Sequence, residues 1–347
     1  LKVIRIYLNK PFLYYSVHQQ FLPFRFCSCK NKLIICIFTG YFLLKIMITK
    51  QDFKFKDRLI KGISPEGFFK ISVVKTTELV ADAKERHELS LLNTVLLGRT
   101  LTAALLLASE QKGEERIRLR FDGSGPSGMI MAEANSIGEV RGYVQHPKAE
   151  LDYSEDGVAL NQGLGHGLLS ITKTLYNEAE PRTSTIVLVN GDITSDIAHY
   201  LTQSEQIPSA VMLDVTIDST GNIEHAGGLL IQRLPGAPDD VVDNLQEKLA
   251  SFPQVAEFLQ GGLYIDEVME KAVEPFDVQE LNRMPVHFFC RCKKARILNA
   301  LSLLSLDDLI EMQDEPQEIV CHFCSKKEVI SKTEINNLID AAKAKLN

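Results

Sequence analysis

The chain has no tryptophan, and no cysteine between Met47 and Phe289. Its seven cysteines fall into two groups: Cys27, Cys29 and Cys36 near the start, and Cys290, Cys292, Cys321 and Cys324 near the end. A long body without a thiol, followed by two close pairs, excludes a secreted disulfide scaffold and reads instead as a metal site in a reducing compartment. No Gly-x4-Gly-Lys-Ser/Thr run is present, so the sequence makes no case for a P-loop ATPase. Internal repeats and low-complexity runs are also missing. The apolar stretch 89–109 is interrupted by Asn93, Arg99 and several threonines, and is read as a buried helix rather than a membrane span.

Acidic residues are missing from 1–46, which hold Lys2, Arg5, Lys10, Arg25, Lys30, Lys32 and Lys45 among many Phe, Tyr, Ile and Leu. Those seven charges hide an acidic remainder: the net charge is −7 for the whole chain and −14 for 47–347. Residues 1–46 are read as a non-native upstream extension, with the start at Met47. The rival reading is a targeting segment with its apolar core at 33–44, but that core is too deep in the chain and no small-residue cleavage site follows Lys45. The acidic body argues against a nucleic-acid binder. With 45% hydrophobic and 24% charged residues, the composition is that of a soluble globular protein, expected in the cytoplasm with no membrane partner.

The body reads as α+β. Ile117, Leu119 and Phe121 alternate with Arg116, Arg118, Arg120 and Asp122, which predicts a half-buried strand. Gly123-Ser124-Gly125-Pro126 is a turn, and 129–134 and 139–144 continue an antiparallel meander. A strand at 185–189 precedes Asn190-Gly191, a hairpin-turn signal. Thr194 or Ser195 would cap a helix running to about Gln203, and 209–217 is another strand. Gly227-Gly228 and Leu234-Pro235-Gly236-Ala237 mark a boundary. Beyond it Val241, Val242, Leu245, Leu249 and Phe252 have one-face helical spacing, and 255–259 and 265–272 are shorter amphipathic pieces. The division expected is 47–226 as an N-terminal α+β domain, 227–285 as a helical linker of low local stability, and 286–347 as a small C-terminal zinc domain.

The strongest signal is Cys290-x-Cys292, then 28 residues, then Cys321-x-x-Cys324. Four thiolates close a tetrahedral shell around zinc with no open position, which makes the site structural rather than catalytic; an iron–sulfur cluster is the second choice. His287 and His322 lie close by, but the four sulfurs already complete the shell. Residues 286–347 are too few for a self-sufficient core, so metal binding supplies much of this unit's folding energy. Leu298, Leu301, Leu303, Leu304, Leu306 and Ile310 are expected to form a small core beside the site. Zinc-bound thiolates remain nucleophiles, so oxidation to disulfides would strip the metal of its ligands and open the unit and its neighbour. A purely structural zinc domain remains open beside this switch.

Between the body and the cysteines the chain carries Gly125-Pro126-Ser127-Gly128 leading to Ala132-Glu133-Ala134-Asn135. Gly138-Glu139-Val140-Arg141-Gly142-Tyr143-Val144 follows, then Tyr200-Leu201 with Ser204-Glu205-Gln206-Ile207-Pro208-Ser209, then Gly227-Gly228-Leu229 and Leu234-Pro235-Gly236-Ala237. With the four cysteines, these segments from Met47 onward resemble the 33 kDa chaperonin family of redox-regulated holdases. The resemblance implies a non-enzymatic, ATP-independent chaperone that is inactive when reduced and zinc-bound. It further implies that oxidation pairs Cys290 with Cys292 and Cys321 with Cys324, releases zinc, unfolds about 227–285, and yields a homodimer that holds unfolded client proteins. Glu328 departs from the family, which places an aromatic residue there.

Other motifs point elsewhere only weakly. Gly123-x-Gly125-x-x-Gly128 matches a dinucleotide fingerprint, but Pro126 and a strand follow where a helix is needed. Gly163-Leu164-Gly165-His166-Gly167 is read as a loop, and Ser204 beside Glu205 lacks a placed base. The alternative class is a structural zinc ribbon that binds a protein or a nucleic acid, with Lys293, Lys294, Arg296, Lys326 and Lys327 as contacts. Residues 286–347 hold nine basic and nine acidic residues, a balance that speaks against nucleic acid.

Overall fold

A computed structural model describes residues 25–29, 32–39, 42–47, 56–151, 159–176 and 178–346, the first three of these by backbone alone. The chain divides into two units, Leu1–Phe55 and Lys56–Asn347. In the first, strands β1 (Arg25–Cys29), β2 (Lys32–Thr39) and β3 (Phe42–Met47) pair antiparallel. Residues 33–39 and 42–44 of the apolar run thus lie on β2 and β3, while residues 1–24, 30–31 and 40–41 of the expected extension fall outside the described residues.

The second unit is built on two sheets. The five-stranded sheet has the order β11 (Ser209–Ile217), β12 (Ile223–Arg233), β5 (Phe69–Lys75), β4 (Arg58–Ile63), β13 (Gln279–Pro285). The six-stranded sheet has the order β10 (Arg182–Val187), β9 (Gly167–Thr174), β6 (Arg116–Gly123), β7 (Met129–Asn135), β8 (Glu139–Val144), β14 (His287–Phe288). All pairings are antiparallel except β14 on β8.

Helices α1 (Thr77–His87) and α2 (Leu91–Ala108) follow β5. Helix α2 packs against β6, β7 and β8 of one sheet and β5, β11 and β12 of the other. An all-round apolar helix is stable in water only if every face is covered, and two sheets do that here. This helix is long and apolar enough to cross a membrane by length and composition, yet most of it is buried inside the protein. Its buried threonines are satisfied locally: Thr100 and Thr102 donate to the carbonyls of Leu96 and Gly98. Ser90 caps the first turn by accepting from the Asn93 backbone N–H at 3.2 Å. The Asn93 amide, fully buried, reaches the carbonyls of His146 (3.0 Å), Pro147 (3.3 Å) and Ala149 (3.1 Å) and ties down the chain leaving β8. Replacing Asn93 with alanine would remove these three bonds; Ser90 still donates to the Pro147 and Ala149 carbonyls and the Ala149 N–H to that of His146, so a loss of about 1–2 kcal/mol is expected. An unchanged urea midpoint would contradict this role.

A short turn, α3 (Asn161–Leu164), precedes β9, and α4 (Ile193–Gln203) follows β10. The two glycine clusters set aside as cofactor motifs pack on each other. Gly125 N–H donates to the Leu164 carbonyl at 2.7 Å and Ser127 N–H to the Gly163 carbonyl at 3.0 Å. A Cβ on Gly123 would sit 2.3 Å from the Leu164 oxygen, so the glycine is needed for close approach. Asn190-Gly191 is not a hairpin: Asp192 follows and caps α4 by accepting from Ser195 N–H, taking the role expected of Thr194 or Ser195.

Gly227-Gly228 lies in mid-strand of β12 rather than at an end. A Cβ at Gly228 would meet the Met212 carbonyl at 2.7 Å and the Thr102 methyl at 2.9 Å, where α2 presses on the sheet, and one at Gly227 would meet Val255 at 2.9 Å on the opposite face. The helical run begins at Asp239. Helices α5 (Asp239–Ala250), α6 (Val255–Gln260) and α7 (Ile265–Val273) cover the sheet face opposite α2. Val241, Leu245, Val255, Ile265, Val268 and Val273 pack there against Ile60, Phe69, Ile71, Val73, Leu229 and Ile231. A buried polar anchor crosses this interface: Asp214 of β11 accepts from the Ala256 N–H at 2.5 Å at the start of α6.

The C-terminal residues form α8 (Lys294–Leu301), α9 (Leu306–Glu311), the hairpin β15 (Gln317–Val320) and β16 (Lys327–Ile330), and α10 (Lys332–Leu346). Their small core is Leu301, Leu309, Ile330, Ile335 and Ile339, with Leu298 and Leu306 partly buried against it. Leu303, Leu304 and Ile310, expected in this core, are exposed. The helix ends at Leu301, and the Ser305 capping box with Asp308 starts α9 at an angle that turns Leu309 inward instead.

Candidate metal centre

Strand β14 delivers the first cysteine pair. It adds to the edge of the six-stranded sheet alongside β8: His287 N–H donates to the Gly138 carbonyl at 3.1 Å and Phe289 N–H to the Val140 carbonyl at 2.8 Å. Cys290 and Cys292 follow at once. The second pair sits in the bend between β15 and β16. There Cys324 N–H and Ser325 N–H both reach the Cys321 carbonyl, at 3.3 and 2.8 Å, and Cys321 N–H reaches the Lys326 carbonyl at 3.0 Å. Ser325 takes a left-handed backbone conformation, φ 53°, which closes the knuckle.

The chain fold brings the sulfurs of Cys290, Cys292, Cys321 and Cys324 within 4.8 Å of one another. Cys290 and Cys321 are 3.8 Å apart, and Cys292 and Cys324 are 3.2 Å apart. A tetrahedron with metal–sulfur bonds of about 2.3 Å has edges of roughly 3.8 Å, so these residues fit a four-thiolate ion such as zinc. All four are free thiols, and Cys324 is the most buried. Burial pushes the Cys324 thiol well above its ordinary range. Burial acts the same way on Cys290, but the Cys292 backbone N–H and the Arg141 guanidinium outweigh it and hold that thiol below the usual value. The two nearby histidines stay outside: His322 packs its ring on Tyr143 at 5.9 Å, and His287 packs on Phe289.

The centre is clasped to the body by residues that the sequence reading did not single out as site residues. Arg141 of β8 donates to the Cys290 sulfur at 3.8 Å and lies 4.1 Å over the Phe323 ring. Its other terminal nitrogen donates to Glu133 at 2.6 Å, and Arg118 donates to the same carboxylate at 2.7 Å. Those two arginines outweigh burial and keep Glu133 below the usual carboxylate range. Tyr143 meets the Phe323 ring edge-on at 5.3 Å. His87, at the end of α1, contacts the Phe323 carbonyl at 3.3 Å and the Ser325 hydroxyl at 2.8 Å. Burial lowers its pKa, which leaves the ring neutral at neutral pH, able to donate from one nitrogen and accept at the other. Arg141 and Tyr143 carry a weak signal, the outward positions of an alternating strand. His87 on its helix carries none.

Glu328 of β16 lies half-buried and pairs with Lys326 at 2.5 Å. A charged side chain thus occupies the strand face that Ile330 buries, and its neighbouring lysine satisfies it.

Comparison with known proteins agrees with this geometry. Residues 57–331 match the family model described as Hsp33 protein. The 33 kDa chaperonin of Desulforamulus reducens is 37% identical over 287 residues, covering 82% of this chain and 97% of that protein. That of Thermus thermophilus is 38% identical over 300 residues, covering 81% and 86%. The crystal structure of the Thermotoga maritima 33 kDa chaperonin, an Hsp33 homologue, superposes with a TM-score of 0.78 at 30% identity, covering 83% of this chain and 99% of that one. With most of its length matched by the family model and by full-length relatives, the chain belongs to the Hsp33 family of chaperones.

Proposed function

We propose that this protein is a cytoplasmic, ATP-independent holdase whose chaperone activity is switched by the redox state of Cys290, Cys292, Cys321 and Cys324. The observation that carries the reading is the four-sulfur cluster at the junction of two cores. Cys324 packs with the body's main core, while the C-terminal residues have a separate core of only five buried side chains. Zinc, when bound, supplies the cross-link that so small a core cannot replace.

The residues of this chain do the rest. Arg141 and the Cys292 N–H favour thiolate at Cys290, the form that attacks an oxidant. Each disulfide formed gives two electrons to the oxidant and removes two ligands. With the knuckle lost, Phe323 leaves its clasp and β14 loses its support on β8. Strand β13, next to β14, lies over α7 through the Arg283–Asp266 pair at 3.3 Å. Release can therefore pass to α5–α7 and uncover Ile60, Phe69, Ile71, Val73, Leu229 and Ile231, an apolar sheet face suited to unfolded clients. The oxidised form is proposed to act as a homodimer. No enzymatic step and no nucleic acid enters this reading.

The test is thermal aggregation of a model client with the protein added reduced or peroxide-oxidised, with released zinc recorded in parallel. Suppression by the oxidised, zinc-free form alone is expected. Equal inertness of both forms, or a better reduced form, would return the site to a purely structural role. Pairing is read from tryptic peptides. Cys290 with Cys292 links the peptide ending at Arg291 to Cys292-Lys293, and Cys321 with Cys324 stays within one peptide. Because all four sulfurs lie within 4.8 Å, crossed pairing is sterically open, and it would join the Cys290 peptide to that of Cys321 and Cys324.

A further inference from the structure

Beside the metal centre lies a small polar groove lined by Arg116, Arg141, Arg291 and Arg296, with Glu133, Glu139 and Phe289. Its two carboxylates are already matched. Glu133 takes Arg118 and Arg141, and Glu139 takes Arg291 at 2.7 Å and the Asn135 amide at 2.8 Å. Arg116 of β6 and Arg296 of α8 have no carboxylate partner among the described residues. The groove therefore carries two positive charges in excess, in a chain whose residues 47–347 have a net charge of −14. Two unpaired guanidinium groups facing one concavity repel each other unless an anion lies between them.

We propose that this groove binds a phosphate-type dianion, free or as the terminal group of a nucleotide. The cavity of about 50 Å³ has room for one small oxyanion, and the groove opens to solvent, where the rest of a larger ligand could lie. Guanidinium forks match tetrahedral oxyanions with paired N–H donors, where ammonium groups offer only point charge. The walls also come from two parts of the chain. Arg116 and Arg141 stand on the central strands of the sheet, while Arg291 lies between two of the metal-centre cysteines and Arg296 on the helix after them. A bound anion would staple the metal centre to the body and oppose its release. That second statement rests on the redox reading above; the binding site itself does not.

Inorganic phosphate, and separately AMP, would be titrated by calorimetry into the reduced, zinc-loaded full chain and into Arg116→Ala/Arg296→Ala. Neither arginine takes part in the ion pairs that hold the fold. Saturable binding that weakens about tenfold or more in the double variant, and falls with added chloride, is the expected result. Equal affinity for both ligands assigns the terminal phosphate group, and phosphate alone assigns the free anion. No saturable binding, or the same affinity in the variant, overturns the site. Peroxide-driven zinc release should slow with phosphate in the parent and not in the variant. Binding without that slowing overturns the staple and leaves the site. A protein that never releases zinc to peroxide contradicts the redox reading, while the titration still decides the groove.

Discussion

Cys324→Ser is expected to purify without zinc, to lose hydrogen-exchange protection over residues 287–346, and to suppress client aggregation without any oxidant. A serine oxygen is a poor substitute for a soft thiolate. Small zinc domains owe about 10–16 kcal/mol of apparent folding energy to their metal. Against that, Leu301, Leu309, Ile330, Ile335 and Ile339 offer a core of five buried side chains. At about 25 cal/mol per Å² of buried apolar surface, such a core does not offset the ordering entropy of some sixty residues. Helices α5–α7 should lose protection along with residues 287–346, while α2 and the inner strands of both sheets, which the metal centre does not hold, should keep theirs. A variant that keeps one zinc per chain, or that loses zinc and stays inert, would separate the metal centre from chaperone activity.

The second large effect concerns Asp214, which holds α6 against the sheet. Burial raises its pKa to about 6, partly countered by the Ala256 and Val255 N–H groups and by Arg99 of α2, while Glu257 of α6 pushes the same way as burial. Arg99 gives most of its charge to Asp192 at 2.9 Å. For a carboxyl whose folded pKa lies above its unfolded value of 3.8, the stabilising contribution is complete below pH 3.8 and is lost as pH rises through 6. Docking of α5–α7 is therefore expected to be weakest above pH 7 and to tighten on acidification. Asp57, also raised to about 6 mainly by burial, moves global stability in the same direction, so a variant is needed to isolate Asp214. Asp214→Asn keeps an oxygen for the Ala256 N–H and removes the charge. It should stabilise the docked helices at pH 7.5 by up to about 3 kcal/mol, with no gain at pH 4. It should also slow activation by peroxide. Local hydrogen exchange in 255–273 at the two pH values is the measurement. Faster exchange in the variant at pH 7.5 would show that the charge-assisted bond to Ala256 outweighs desolvation.

The parts of this molecule legible in its sequence are those where one local rule decides. Ile117, Leu119 and Phe121 gave β6 through strict alternation, and the apolar run 89–109 gave α2. The two cysteine pairs pointed to the four-sulfur cluster, because close thiol pairs at this spacing suit a single ion. Where tertiary context decides, the reading fell short. Strand β13 is QELNRMP, in which Leu281 and Met284 are out of step with any alternation, and is a strand because it sits at a sheet edge against β4. Strand β5 is buried on both faces, so its residues lack alternation. Asn190-Gly191 carries a hairpin signal, but Asp192 as helix cap took precedence. The clasp on Phe323 joins residues 87, 141 and 143 to 323, a proximity that no spacing in the sequence encodes.

One pairing sets the order of events during synthesis. Strand β4, at residues 58–63, finds its partner β13 only at 279–285, so the five-stranded sheet cannot close until nearly the whole body has left the ribosome. Such long-range closure is slow, because the loop entropy is lost before the contacts form. Throughout that wait the emerged chain from Met47 onward offers no thiol. Nothing in it can hold a metal through thiolates or enter a wrong disulfide. Cys290 follows Pro285 by five residues, so the first cysteine of the candidate metal centre is translated just after the strand that completes the sheet. The nascent body therefore carries no thiol chemistry until there is a folded platform to receive it.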